Sequence, residues 1–177
     1  MKGSYRPPLS TSRRALLVDG DDSEFRRLIY RLSAVEERLR HARSYLGRRI
    51  GLSGPQYMLL ITVAYLQGAA GIAVSSLARD LRVTSAFITA ESRRLVARGL
   101  LAKRRNPHDS RSTLLSLTGA GRRRIARIVP EIGRVNDLFF GGVSAASFRC
   151  AQRFLDELAA GSSAAMAYIE QREARRA

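Results

Sequence analysis

The sequence predicts a mainly α-helical fold that contains one β-hairpin, and three observations support this prediction. Apolar residues recur every three or four positions through most of the 177 residues, as they do on one face of an α-helix. Glycine, proline and candidate capping residues divide this pattern into separate helices. One segment, residues 100–117, instead has two short runs around a turn, which is typical of a pair of strands.

The N-terminal part of the chain contains a basic segment followed by a long helix. Residues 1–20 carry several basic residues, adjacent prolines and no acidic residue before Asp19, so we expect a flexible basic arm. The sequence leaves two alternatives open for this segment: an arm that contacts DNA, and a disordered end without a role. From residue 21 to residue 50 we expect one helix, which ends near Gly47 and Gly51. Its apolar face is formed by Phe25, Leu28, Ile29, Leu32, Val35 and Leu39.

The next helix has a clear start signal. Ser53 is a candidate N-cap, Pro55 suits the first turn, and Gln56 completes a capping box. The apolar residues that follow predict a mostly buried helix, which ends near Gly68 and Gly71.

Two short helices follow, and the brief connection between them predicts a helix-turn-helix. Ser75 is the candidate N-cap of the first of them, and Thr84 or Ser85 is the candidate N-cap of the second. The second helix, the recognition helix, ends at Gly99. Its outer face is predicted to carry Ser85, Thr89, Ala90 and Arg93.

A β-hairpin is predicted directly after the helix-turn-helix. Strands at residues 100–105 and 112–117 would pair around a loop at residues 106–111. A helix-turn-helix followed by such a hairpin is a winged helix. Arg104 and Arg105 lie on opposite faces of their strand, because successive side chains alternate.

Two helices complete the chain between residues 119 and 177. Thr118 is the candidate cap of the first, and Pro130 predicts a kink in it, because proline has no N–H and clashes with the preceding turn. Ser144 is expected to begin the last helix. Its apolar stripe is formed by Phe148, Leu155, Leu158, Met166 and Ile169.

The charge of the chain favours a polyanionic partner. Lys and Arg together number 31 against 15 Asp and Glu, which gives a net charge of +16. Arginine supplies nearly all of the positive charge, and its planar guanidinium suits phosphates and guanine edges. Of Arg104 and Arg105, we therefore expect one to face DNA and the other to face solvent.

Other classes of function find little support in the sequence. His41 and His108 are far apart, and no nucleophile motif, phosphate-binding loop or metal-ligand cluster is apparent, so we expect no enzyme, cofactor or metal ion. The single cysteine, Cys150, excludes an intramolecular disulfide and suits a reducing cytoplasm. No apolar segment has the length of a signal-peptide core or a transmembrane helix, so we expect a cytoplasmic protein.

Several motifs, in this order, resemble the MarR family of bacterial transcription regulators. They are the Leu77-Ala78 pair, Gly99-Leu100 before the hairpin, and the wing pattern Asp109-x-Arg111…Leu117-Thr118-x-x-Gly121. The resemblance starts near Phe25 and continues to the C-terminus. It implies an obligate homodimer, in which residues 21–50 and 119–177 form the dimerisation region. Residues 51–118 would then form the winged helix-turn-helix DNA-binding domain.

The resemblance also implies how the dimer would bind double-stranded DNA. The two recognition helices would enter successive major grooves of a pseudo-palindromic operator, and the wings would reach the flanking minor grooves. Arg111 at the wing tip is expected in the minor groove, where a narrow groove concentrates negative potential. Asp109 is expected to orient Arg111 through charge-assisted hydrogen bonds. The predicted DNA-binding residues are Ser85, Thr89, Ala90, Arg93, Arg104, Arg105, Asp109 and Arg111.

A small-molecule effector is a second implication, since many relatives bind aromatic or anionic ligands in a cleft beside the dimerisation helices. The polar and aromatic candidates for such a cleft are Arg38, His41, Tyr45 and Tyr57. As a set they suggest a carboxylated aromatic effector, while each residue by itself is also explained by packing.

The sequence departs from the family at Glu91 and Ser92, which stand where apolar residues are usual.

The sequence therefore predicts a DNA-binding transcription regulator, expected to repress by covering a promoter until an effector releases it. One alternative is an architectural DNA-binding protein, driven by charge and with little sequence preference. Another is a redox-responsive regulator that uses Cys150. We expect this cysteine to be an inert packed thiol instead, because it flanks the apolar stripe of the last helix.

Overall fold

The computed structural model describes residue 5, residues 7–107 and residues 109–175, apart from the side chains of residues 110 and 111. Within these residues a short 3₁₀ helix at Arg14–Leu16 precedes six α-helices and three strands. The helices are α1 (Ser23–Arg49), α2 (Gly54–Leu66), α3 (Val74–Leu81), α4 (Ser85–Ala97), α5 (Gly119–Phe140) and α6 (Ala145–Ala174). The strands are β1 (Ile72–Ala73), β2 (Leu101–Asn106) and β3 (Asp109–Leu117). The predicted mainly α fold with a winged helix-turn-helix is confirmed.

The chain divides into two compact units, Met1–Ile132 and Gly133–Ala177, with α5 passing from the first into the second. In the first unit the core lies among α2, the helix-turn-helix and the sheet. Fully buried apolar side chains come from all three, and burial of each contributes roughly 1.5–3 kcal/mol relative to exposure. They are Leu59, Leu60, Val63, Leu77, Ile88, Leu95, Leu101 and Leu115.

The start of α2 is the one predicted from the sequence. The Ser53 side chain accepts a hydrogen bond from the Gln56 backbone N–H, and the Gln56 side chain accepts one from the Ser53 N–H, each at 3.3 Å. Proline stands in the first turn, where no N–H is needed. This capping box fixes the start of the helix that supplies much of the core.

The N-terminus of α3 differs from the prediction. Ala73, and not Ser75, is the N-cap, and no side chain caps the helix. The reason is β1, a short strand that the sequence analysis missed: Ile72 pairs with Leu115 and Ala73 with Leu114. This pairing holds the backbone extended up to Ala73, so that the helix begins at the next residue.

The side-chain cap predicted for the start of the second helix of the helix-turn-helix is present. The Thr84 side chain accepts a hydrogen bond from the Phe87 N–H at 3.1 Å, which makes Thr84 the cap of α4 and leaves Ser85 inside the helix. Between the helices Arg82 has a φ of 54°, the left-handed conformation that closes helix C-termini.

The sheet has the order β1-β3-β2, and both pairings are antiparallel. The hairpin strands extend further than predicted, since β2 reaches Asn106 and β3 begins at Asp109. The predicted loop at residues 106–111 is therefore too long. A register shift between Arg105 and Asn106 lets Asn106 pair with Asp109 and carries the ladder to the tip.

Glu91 and Ser92, the two departures from the family pattern, are buried in α4 with 7% and 3% of their surface exposed. The Ser92 hydroxyl donates to the Thr89 carbonyl at 3.1 Å within the helix. Glu91 forms an ion pair with Arg94 one turn later. These polar residues thus occupy inward positions and satisfy part of their hydrogen-bonding capacity inside α4.

The segment before α1 contacts the helix start. Both the backbone N–H and the hydroxyl of Ser10 donate hydrogen bonds of 2.6 Å to the Asp22 carboxylate, which is fully buried. The guanidinium of Arg26 lies 2.6 Å from the other carboxylate oxygen. The predicted arm is therefore attached to the folded unit at least at Ser10.

The second unit contains the end of α5 and the whole of α6. The Ser144 side chain caps α6 by accepting from the Ser147 N–H at 3.1 Å, as predicted. α6 has 30 residues and, where the structure describes it, buries none of them. Cys150 is exposed here, so the packed position predicted for it is wrong within the single chain. The helix α5 continues through Pro130, and the kink expected there stays a prediction.

Candidate nucleic-acid interface

The recognition helix α4 presents the polar face that the sequence predicted. Ser85, Ala90 and Arg93 are exposed and Thr89 is half-buried. Ile88 and Leu95 on the opposite side are fully buried, so packing fixes which side faces outward. Small polar side chains and one arginine suit base edges and phosphates on that outer face.

The wing meets this helix face. A cavity of about 420 Å³ is lined by Ser85 and Thr89 of α4 together with Lys103 of β2 and Asp109 of β3. Ser75, Ser112 and Thr113 also line it, which gives a polar surface on both sides. The structure therefore brings together residues from the recognition helix and from the wing that the sequence placed only separately.

Arg104 and Arg105 lie on opposite faces of β2, and the structure distinguishes them. The Arg104 guanidinium donates two hydrogen bonds to the Ala70 carbonyl, from Nε at 3.2 Å and from Nη2 at 2.6 Å. Arg104 thus links β2 to the turn before β1. Arg105 shares the strand face of Lys103, which lines the cavity beside α4.

The wing tip carries the remaining two candidates. Asp109 is the first residue of β3 and pairs with Asn106 across the hairpin. Arg111 follows in the same strand, and its side chain lies outside the description, as does His108. The groove contact of Arg111 and its orientation by Asp109 stay predictions.

The four effector candidates have different surroundings in the structure. Arg38 and His41 are exposed on α1, whereas Tyr57 is 95% buried in the core. Burial, and to a lesser degree Tyr65, raises the pKa of Tyr57. The Tyr45 hydroxyl donates to Glu131 of α5 at 2.5 Å. A cavity of about 250 Å³ between α1 and α2 has Arg43 and Met58 in its wall and none of these four residues.

Two arginines that the sequence analysis did not single out join separate parts of the first unit. Arg98 donates to the Gly51 carbonyl at 2.6 Å, and Arg124 donates to the Ile50 carbonyl at 2.9 Å. Both bonds end on the turn after α1. No pattern in the local sequence predicts these two hydrogen bonds, because each bond joins residues at least 47 positions apart.

The described residues contain no group of three or more His, Cys, Asp or Glu side chains arranged to hold a metal ion. Among the helices that the structure describes, none combines the length and apolar character needed to cross a membrane.

An exposed polar recognition helix beside a basic two-stranded wing defines a winged helix-turn-helix protein. Residues 52–113 match the model of the MarR family, in agreement with the predicted resemblance. The matched segment begins just before α2 and ends within β3.

Individual relatives share part of the sequence or the fold. YdgJ of Bacillus subtilis, an uncharacterised HTH-type transcriptional regulator, is 35% identical over 86 residues, which are 49% of this chain and 51% of that protein. The alignment thus spans about half the length of this curated relative. CouR from Rhodococcus jostii RHA1, solved with p-coumaroyl-CoA, has a TM-score of 0.67 at 21% identity, covering 75% of this chain and 91% of CouR. PcaV from Streptomyces coelicolor, solved with its natural ligand, has a TM-score of 0.56 at 26% identity, covering 72% and 91% respectively.

Proposed function

We propose that this protein is a sequence-specific DNA-binding transcription regulator that works as a homodimer and responds to a small molecule. The observation that carries this proposal is the shared polar surface of α4 and the wing. Helix and hairpin residues line one cavity there, so a single DNA duplex could contact both elements. An α-helix of 10–12 Å diameter fits the major groove, which is about 12 Å wide.

The net charge of +16 supports binding to a duplex. Lysine and arginine that neutralise phosphates release condensed counterions, which favours association and makes it salt-dependent. In this proposal Arg93 and Arg105 supply phosphate or guanine contacts, Ser85 and Thr89 contact bases, and Arg111 enters the minor groove. The DNA would be a pseudo-palindrome, with half-sites about 34 Å apart for a two-fold dimer.

A second copy of the chain is the partner that suits α6. Large apolar side chains on this helix are exposed, including Phe148 at 55%, Leu155 at 51% and Met166 at 52%. A contiguous exposed apolar stripe of this kind marks an interaction surface. The proposed dimerisation region comprises α1, α5 and α6, as in the domain division at residues 21–50, 51–118 and 119–177.

Regulation by a small molecule is supported by what the structural relatives bind. CouR was solved with p-coumaroyl-CoA and PcaV with its natural ligand. For this chain we propose repression in the cytoplasm by promoter occlusion, relieved when an effector favours the state that does not match the operator. An effector achieves this only by binding that state more tightly than the DNA-bound state.

The test is selection of bound fragments from the source genome, followed by titration of the selected site and of random DNA at several salt concentrations. A regulator should prefer its own site by roughly 10³-fold or more. Equal affinity for both DNAs, with a steep salt dependence, would favour the architectural alternative and overturn the proposal. A Cys150→Ser variant with unchanged response to oxidant would remove the redox-responsive alternative.

A further inference from the structure

The recognition helix α4 carries a buried carboxylate that the proposed DNA contacts do not use. Glu91 has 7% of its surface exposed, and its Oε1 forms an ion pair with Arg94 of the same helix. The other oxygen, Oε2, is buried and has no hydrogen-bond partner among the residues that the structure describes. A carboxylate in such a position is less well solvated than in the unfolded chain, so it destabilises the fold unless its pairing is complete.

The neighbours of Glu91 on the inner side of α4 are apolar. Ile88 precedes it by three residues and Leu95 follows it by four, so the three side chains share one stripe of the helix. Ile88 and Leu95 are fully buried. An apolar side chain at position 91 would therefore extend the core. The carboxylate makes the fold less stable than it could be, and such positions are expected where a residue serves function.

The partner of this carboxylate lies on the outside of the helix. The Arg94 side chain is 61% exposed, and its Nη1 donates a hydrogen bond to Oε1 of Glu91. A hydrogen bond between two charged groups restricts the direction of the guanidinium. The other N–H groups of Arg94 have no hydrogen bond to any described side chain or carbonyl. They are available to a second acceptor, and the fixed fork of a guanidinium suits a phosphate.

Arg94 lies on the flank of α4 that is turned away from the wing. At about 3.6 residues per turn, it is about 40° around the helix from the exposed Ala90 and about 140° from Thr89. Thr89 lines the cavity shared with the wing, and Arg94 does not. A helix of about 10–12 Å diameter fills a major groove about 12 Å wide, so each flank lies beside one phosphate backbone. Arg94 would therefore meet the strand on the side opposite to the wing.

We propose that Arg94 binds a backbone phosphate across the major groove from the wing, and that Glu91 is the positioning residue that holds its guanidinium there. This inference rests on the proposed function, because that function places α4 in the major groove. Neither residue belongs to the set of DNA contacts predicted from the sequence. The buried carboxylate lowers stability and improves binding, so a single substitution should change these two properties in opposite directions.

Glu91→Leu separates a positioning role from a structural one. Leucine extends the apolar stripe and removes an incompletely paired charge, so the thermal midpoint should rise. The same substitution removes the acceptor that holds Arg94, so affinity for DNA selected by the wild-type protein should fall severalfold in fluorescence anisotropy. Glu91→Gln keeps an oxygen acceptor and should lose less affinity than Glu91→Leu. A carboxylate that acted by its charge alone would repel DNA. Unchanged or increased affinity in Glu91→Leu would therefore overturn the positioning role, and a lower midpoint would overturn the cost in stability.

The arginine is tested directly and together with its partner. Arg94→Gln should weaken binding to the selected DNA severalfold and reduce the salt slope by about one, because one phosphate contact is lost. Arg172→Gln, at the exposed end of α6, is the control for loss of one positive charge. Because Glu91 acts through Arg94, Glu91→Leu should cause no further loss of DNA affinity in an Arg94→Gln background. Additive losses, or equal losses in Arg94→Gln and Arg172→Gln, would overturn the proposal.

Uncharged methylphosphonate groups, placed one at a time along both strands of the selected DNA, locate the phosphate. At least one position should weaken binding of the wild type and leave binding of Arg94→Gln unchanged, and the absence of such a position would overturn the contact. A wild-type preference for selected over random DNA, combined with full affinity in Arg94→Gln, would contradict this inference alone. Equal wild-type affinity for both DNAs would contradict the proposed function instead, and the Glu91–Arg94 cycle measured on random DNA would still test the pair.

Discussion

The hydroxyl of Tyr45 in α1 donates a hydrogen bond to the carboxylate of Glu131 in α5, across 86 positions of sequence and at an oxygen–oxygen distance of 2.5 Å. Tyr45 is half-buried, so loss of the hydroxyl leaves a carboxylate with poorer solvation than in the unfolded chain. We expect Tyr45→Phe to lower the free energy of unfolding by about 1 kcal/mol, measured by urea denaturation at fixed protein concentration. Tyr30→Phe is the control, because Tyr30 is 70% exposed. Equal effects of the two variants would contradict this role.

The close approach of α5 to the residue before β2 requires a glycine. A Cβ atom at Gly121 would lie 2.2 Å from the Leu100 carbonyl oxygen and 3.0 Å from a Leu117 methyl group. Gly121→Ala should therefore destabilise the protein by about 3 kcal/mol, since backbone must move. Gly133→Ala in the same helix meets no atom within 4 Å and should be neutral or stabilising by up to about 1 kcal/mol. Thermal unfolding of both variants and of the wild type measures this: the midpoint should fall in Gly121→Ala and should stay the same or rise in Gly133→Ala.

Neighbouring arginines on β2 should have separable roles. Arg104→Ala removes the two hydrogen bonds to Ala70 and should lower the thermal midpoint, with little change in DNA affinity once the protein is folded. Arg105→Ala should leave the midpoint nearly unchanged and weaken DNA binding, with a salt slope smaller by about one. Fluorescence anisotropy with selected DNA at several salt concentrations makes the comparison. A loss of DNA affinity in Arg104→Ala together with a loss of thermal stability in Arg105→Ala would refute the roles assigned to these two residues.

The wing-tip arginine should matter for affinity and not for folding. Arg111→Ala is expected to weaken binding to the selected DNA severalfold or more, because it removes a cation from the minor groove. Asp109→Asn should produce a smaller loss in the same direction if the carboxylate only orients Arg111. Arg172→Ala, at the exposed end of α6, serves as a control for loss of one positive charge. Unchanged affinity in Arg111→Ala would exclude the groove contact.

The contact between the N-terminal segment and α1 should depend on pH. Hydrogen bonds from the Ser10 hydroxyl and then from its backbone N–H hold the pKa of Asp22 below its usual value of 3.8. A lowered folded pKa stabilises the protein above the unfolded value, and this contribution is lost as the pH falls through the folded pKa. We expect wild-type stability to decrease below about pH 4 more steeply than that of Asp22→Asn, which lacks the titrating group. Urea midpoints between neutral pH and about pH 3 measure this, with Glu24→Gln, at an exposed ion pair, as the control.

Local signals allowed much of the fold to be predicted from the sequence. The capping box at Ser53, the cap at Thr84 or Ser85 and the cap at Ser144 are interactions between residues close together in the chain, and each is present. The strand β1 was missed because it has only two residues and exists through pairing with Leu114 and Leu115, more than 40 positions away. For the same reason Ser75 was given a capping role that the strand prevents.

The candidate site divides in a similar way. Periodicity was sufficient to place Ser85, Thr89, Ala90 and Arg93 on the outer side of α4, since the buried Ile88 and Leu95 fix the opposite side. The alternation of side chains along a strand predicted that Arg104 and Arg105 lie on opposite faces of β2. It did not indicate which of the two binds the Ala70 carbonyl. The arginine contacts on Ile50 and Gly51 depend on how α4 and α5 approach the end of α1, and spacing in the sequence carries no information on that.

A helix of 30 residues that buries none of its side chains within its own chain has a consequence for the amount of protein in a cell. If α6 is covered by a second copy, as proposed, the stability of the C-terminal unit rises with the concentration of the chain. At low abundance the helix would be open to proteases, and newly made chains would be removed before pairing. The concentration of functional protein would then depend on a threshold rate of synthesis. Below this rate too little dimer would form to bind its DNA sites or its ligand.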